Sequence, residues 1–132
     1  MRNIILLLSL IIIAFLLFTL WKGKPKQEVP KGEANLYFFY TDWCGWSKKA
    51  MPEWEKLESK LQQNAAFGTT VVKAVRVNAE KDQKTAELYE VEGYPTIKLE
   101  TSSRLYDYSG PRTAEGLLNF LRDTFGKEGK SL

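Results

Sequence analysis

The sequence predicts an α/β protein: a mixed four-stranded sheet built in the order βαβαββα, carried behind one membrane-spanning helix. Three observations lead there. An apolar run of eighteen residues, Ile4 to Trp21, lies near the start of the chain. After it, short aromatic or β-branched runs alternate with segments whose apolar residues recur at helical spacing. The last two strand-like runs are separated only by TSSR, residues 101–104, which is a hairpin turn and too short for a helical crossover. The 132 residues leave room for one domain, since domains commonly run about 100–150 residues. A composition of 44% hydrophobic and 27% charged residues excludes a chain disordered throughout.

At 1.5 Å per residue, Ile4–Trp21 spans ~27 Å, close to the ~30 Å hydrocarbon core of a bilayer. Trp21 would stand at the interface, where indole rings are favoured. A cleaved secretory signal has a shorter apolar core, typically ~7–15 residues, and a small-x-small cleavage site. Here FTLWKGK follows the run and offers no small pair. The segment 1–21 is therefore read as an uncleaved single-pass anchor that meets lipid through residues 4–21. Arg2 and the amino terminus flank one end, and Lys22, Lys24, Lys26 and Lys31 the other. This leans toward a cytosolic domain by a charge margin small enough to leave the side open.

KGKPKQEVPKGE, residues 22–33, has no apolar periodicity and reads as a flexible tether. The folded domain is expected over 34–126, with a disordered tail at 127–132. Within it, NLYFFY (Asn35–Tyr40) is a buried-strand signal. From Cys44 to about Gln62, the residues Trp46, Ala50, Trp54, Leu57 and Leu61 fall on one face of a helix, with Pro52 inside it. TTVVKAVRVN (Thr69–Asn78) is strand-like, and AEKDQKTAELYE (Ala79–Glu90) is an exposed helix with an apolar edge at Ala86 and Tyr89. TIKLE (Thr96–Glu100) and LYDYS (Leu105–Ser109) form the hairpin. A final helix has Thr113 as N-cap and Ala114, Leu117, Leu121 and Phe125 on one face.

Charge and residue counts narrow the function. The net charge is only +3 and the basic residues are spread along the chain, which argues against nucleic-acid binding. There is no histidine, so His-containing metal sites and a Cys–His dyad are excluded, and no metal is expected. Cys44 is the only cysteine, so any disulfide it makes is with another molecule.

Four pieces in order resemble the thioredoxin fold, most closely the catalytic-type domains of protein disulfide isomerases, over residues 35–125. They are Trp43-Cys44-Gly45 at a strand-to-helix junction, Pro52 eight residues later, VEGYPTIKLE (Val91–Glu100) and YDYSGPRTAEGLLNFL (Tyr106–Leu121). The resemblance implies thiol–disulfide exchange at Cys44, within an active-site motif of Trp43, Gly45, Trp46 and Ser47. It further implies a cis proline at Pro95 beside the cysteine, with Tyr94, Pro95 and Thr96 framing a groove for extended, cysteine-containing protein clients. The physical logic agrees, because a cysteine in the first turn of a helix faces unpaired N–H groups and the positive end of the macrodipole. Lys48 would add a weak thiolate-stabilising potential.

Three departures from the family pattern matter. Ser47 occupies the place of the resolving thiol, and a hydroxyl cannot break a mixed disulfide. Phe38 occupies the place of a buried carboxylate that manages the resolving thiol's proton. Only about a dozen residues lie between the apolar run and the first strand, too few for the family's N-terminal strand and helix. That predicts four strands, with Thr70–Val77 at an edge.

Two functions of different class remain. One is a monothiol oxidoreductase or isomerase in which Cys44 attacks client disulfides; it needs no bound cofactor, and glutathione or a client thiol can complete the exchange. The other is a non-catalytic binding or trapping module using the groove beside Pro95, with a redox-inactive scaffold behind it. Trp46 fits either a client contact or core packing, Trp54 fits core, and Arg112 fits a structural place at a turn.

Overall fold

The computed structural model describes residues 1–21 and 31–126, excepting the side chains of residues 20 and 21. The expected tether (apart from residues 31–33), tail and interfacial indole at Trp21 fall outside the described residues or side chains. Helix α1, Arg2–Trp21, is 20 residues long. Its window Arg2–Thr19 has a mean hydropathy of 2.4, with its side chains uncovered by protein. By length and composition it can cross a membrane; a signal sequence passes the same test.

The domain sheet has the order β2-β3-β1-β4-β5. Strand β1, Glu33–Tyr40, is central. It pairs in parallel with β3, Thr70–Asn78, and antiparallel with β4, Thr96–Thr101. Strand β5, Leu105–Tyr108, closes the hairpin against β4. The expected four strands are thus corrected to five. The added strand, β2 at Ala66–Phe67, pairs antiparallel with Val71 and Thr70 and covers the β3 edge. Two residues are too few to show a period in sequence, yet Phe67 is fully buried and anchors the pairing. Gly68 makes the turn between them at φ +58°, where a Cβ would sit 2.2 Å from the Phe125 carbonyl oxygen.

Helix α2, Gly45–Gln63, buries Ser47, Ala50, Trp54, Leu57 and Leu61, with Pro52 inside the helix. The first member of that stripe is Ser47 and not the expected Trp46, which lies one residue off the face. Helix α4, Ala114–Phe125, buries Ala114, Leu117, Leu118 and Leu121, and its Thr113 cap accepts the Gly116 N–H at 3.1 Å. Both helices pack on the sheet face that carries Leu36, Phe38 and Leu99, and Glu53 of α2 accepts the Ala114 N–H at 2.9 Å. The opposite face is covered by a shorter helix, α3, Gln83–Leu88, instead of the full Ala79–Glu90. Asp82 caps it by accepting the Thr85 N–H at 3.1 Å. A second core forms there from Phe39, Val77, Ala79, Ala86 and Tyr89. At its edge the Tyr89 hydroxyl donates to buried Glu100 at 2.6 Å, and burial raises the Tyr89 pKa far above its ordinary value.

Candidate functional site

Strand β1 ends at Tyr40, and four residues later Cys44 is the N-cap of α2 in extended conformation. The central strand therefore delivers the cysteine to the helix end where backbone N–H groups are unpaired. Cys44 is 8% exposed, at the rim of the fold. Its thiol pKa is held below the ordinary value chiefly by the Ser47 backbone N–H, then by the Ser47 hydroxyl and the Trp46 N–H. Desolvation opposes them and ranks below the Ser47 amide. The groups that lower it are those of the first helical turn. Lys48, expected to help, is exposed and borders a separate cavity of about 450 Å³ with Ser47, Met51 and Pro52.

Across from the helix end, the Tyr94–Pro95 peptide bond is cis. The Cys44 Sγ donates to the Tyr94 carbonyl oxygen at 3.5 Å. Pro95 is buried, and Arg112 reaches its carbonyl oxygen at 3.5 Å, tying the turn before α4 to this segment. Thr96 pairs with Phe39 in the sheet, and its hydroxyl donates to the Gly93 carbonyl at 2.6 Å. The main chain nearest the sulfur is thus that of Tyr94. Trp43 meets the Tyr94 ring edge-on at 6.4 Å between centroids.

Trp43 and Trp46 are 67% and 69% exposed, so two large indoles flank the thiol at the surface. Gly45, the first helical residue between them, has nothing within 4 Å of where a Cβ would stand. The Lys49 ammonium sits 5.5 Å from the Trp46 ring centroid. Ser47 points inward at 1% exposure, and its Oγ accepts the Thr41 N–H at 3.4 Å. Phe38, fully buried, stacks on Trp54 at 4.9 Å and on Tyr40 at 5.6 Å. Phe38 thus belongs to an aromatic stack in the core.

One constellation was not read from the sequence. Trp54 Nε1 donates to Glu58 Oε1 at 2.7 Å, and the same carboxylate takes Arg76 Nε at 2.7 Å and Arg76 Nη2. Arg76 holds the Glu58 carboxyl below its ordinary range. Arg76 stands opposite Phe38 in the parallel register, so this cation of β3 pairs with α2 and not with the central strand. The Trp54–Glu58 spacing of four on one helix was the available signal. Among the described residues, no group of His, Cys, Asp and Glu could hold a metal ion.

The thioredoxin domain family matches residues 19–123. A probable protein disulfide-isomerase A4 of Caenorhabditis elegans is 36% identical over 104 residues, covering 79% of this chain and 16% of that one. The chain spans about a sixth to a fifth of the length of the curated relatives it matches. The first thioredoxin domain of mouse protein disulfide-isomerase A4 superposes with a TM-score of 0.60 at 30% identity, over 75% of this chain and 68% of that one. Human ERp44 in its zinc-bound form gives a TM-score of 0.60 at 26% identity, over 68% of this chain and 26% of that one.

Proposed function

The chain belongs to the thioredoxin family, and we propose that it is a membrane-anchored monothiol exchange protein acting on protein disulfides through Cys44. The observation that carries this reading is the placement of the Cys44 sulfur, 3.5 Å from the Tyr94 carbonyl and at the N-terminus of α2. The Cys44 thiolate attacks one sulfur of a client disulfide. A bond forms between Cys44 and that sulfur as the client S–S bond breaks, and the departing client thiolate takes a proton from water. The exposed indoles of Trp43 and Trp46 offer the client apolar contact, and Tyr94 offers its main chain.

Release differs from that in a dithiol protein. Ser47 cannot attack the mixed disulfide, and Phe38 offers no proton acceptor. An outside thiol, glutathione or a second client cysteine, must attack instead, becoming disulfide-bonded to the client as Cys44 leaves as thiolate. The covalent complex therefore persists until such a thiol arrives. The N-terminal helix would hold these complexes at a membrane.

The test is a non-reducing gel of alkylation-quenched cells expressing wild type and Cys44→Ser. The reading expects high-mass bands in wild type that are lost in the variant. Absence of Cys44-dependent bands under mild oxidation would leave the non-covalent client groove as the function.

A further inference from the structure

Beside Tyr94, on the α3 side, lies an open cavity of about 290 Å³. It lies just below the ~300–1,000 Å³ of pockets that enclose whole small molecules, a volume suited to one long side chain. Ala79, Ala86 and Val91 line its apolar floor, and the first two are almost fully buried. Trp43 and Tyr94 form one wall. The exposed carboxylates of Glu80 and Glu87 stand at the rim. Neither is ion-paired among the described residues; Glu80 accepts the Asp42 N–H at 3.1 Å, which fixes it in place.

A buried hydroxyl lies at the cavity's lining. Thr41, which lines both this cavity and the one beside Lys48, is 2% exposed, and its Oγ1 has no hydrogen-bond partner among the described residues. Buried hydroxyls are normally paired, so this one is an exception among the described residues. An apolar floor below a rim of unneutralised carboxylates fits a side chain with an aliphatic stem and a cationic head. We infer that this cavity is a client subsite that takes a lysine or arginine side chain close to the attacked disulfide.

The inference rests on Cys44 acting on client disulfides, and it names which clients are taken first. The chain's net charge of +3 gives a cationic peptide no long-range advantage, so such a preference has to arise locally. The selected clients are disulfide-bonded segments with a basic residue near the cysteine.

The experiment uses the full chain in nonionic detergent and extended peptides carrying one cysteine as its 2-pyridyl disulfide. Attack by Cys44 releases 2-thiopyridone, which is followed by absorbance. Peptides carry lysine, norleucine or glutamate at each position within two residues of the cysteine. At one or more positions the lysine peptide should react about fivefold faster than norleucine at low salt, and glutamate slower. Raising the salt should shrink the ratio. The double variant Glu80→Gln/Glu87→Gln should bring it to one. Equal lysine and norleucine rates at every position, or a lysine advantage that survives the double variant, overturns the subsite. Failure of the thiol reading looks different, with no thiopyridone released from any peptide. The same ranking, read in parallel as non-covalent affinity for Cys44→Ser, then decides the subsite by itself.

Discussion

Ser47 connects Thr41 to Cys44: its Oγ accepts the Thr41 N–H at 3.4 Å, and its hydroxyl hydrogen-bonds the Cys44 sulfur and lowers the thiol pKa. The residue that cannot resolve a mixed disulfide is thus a donor to the thiolate that makes one. Because the folded pKa is lowered, thiolate is present at pH values where an ordinary cysteine, with a pKa of ~8.5, is mostly protonated. Alkylation of Cys44 by iodoacetamide should therefore inflect below the ordinary thiol range. Ser47→Ala should move that inflection upward part of the way, since the Ser47 N–H remains. It also leaves the buried Thr41 N–H without its acceptor, at a cost of ~1–3 kcal/mol. An unmoved inflection would remove the hydroxyl from the account.

Ser47→Cys should shorten the life of the mixed disulfide and raise disulfide-reductase turnover with an external reductant. The gain should be incomplete, because Phe38 still withholds a carboxylate from the new thiol. Lifetimes are read by quenching with alkylating agent at successive times and running non-reducing gels. A complex that persists equally in both proteins would show that the second thiol is sterically shut out.

Glu58 joins Trp54 to Arg76, so removing it strands a buried indole N–H and leaves Arg76 to its longer pair with Glu55 at 3.7 Å. Glu58→Ala should cost ~1–3 kcal/mol, lowering the melting temperature by roughly 4–8 °C per kcal/mol. The pH dependence has a definite sign. The carboxyls of Glu53, Glu58 and Asp82 are all held low in the folded state. Their contribution is fully present above the unfolded values near ~4 and is lost as pH falls through the lower folded ones. Acid unfolding followed by tryptophan fluorescence should thus begin earlier in Glu58→Gln than in wild type.

Full-length protein should remain with membranes after carbonate extraction, since Arg2–Trp21 is long and apolar enough to span. A soluble species starting near residue 20 would mark the segment as a cleaved signal instead.

Much of this was legible in the sequence for physical reasons. Asn35–Tyr40 could only be a central strand, because every second residue and more is apolar, and the structure buries Leu36, Phe38 and Phe39 completely. The Thr113 cap and the α4 stripe were readable because capping and helical spacing are local. Misreadings arose where hydrophobicity ranked residues but geometry decided. Trp46 has by far the larger apolar surface, yet Ser47 is the buried one, since the helix starts at Gly45 and sets the phase from there. Strand β2 needed knowledge that Phe67 folds back over β3, a tertiary fact with no local period. The carboxylate-rimmed cavity brings together Thr41, Trp43, Glu80, Glu87 and Tyr94 from three separate stretches, which spacing along the chain cannot show.

The unequal burial of the three tryptophans in the folded domain gives the protein a built-in optical readout. Trp54 is 1% exposed inside its aromatic stack, while Trp43 and Trp46 stand open on either side of Cys44. Their emission should differ in colour and in access to iodide, and a disulfide sulfur is an effective quencher of a nearby indole. Loading of Cys44 should therefore dim the red-shifted, iodide-accessible part of the emission and spare the blue part. Light from the unlabelled protein then tracks the filling and emptying of the sulfur in real time.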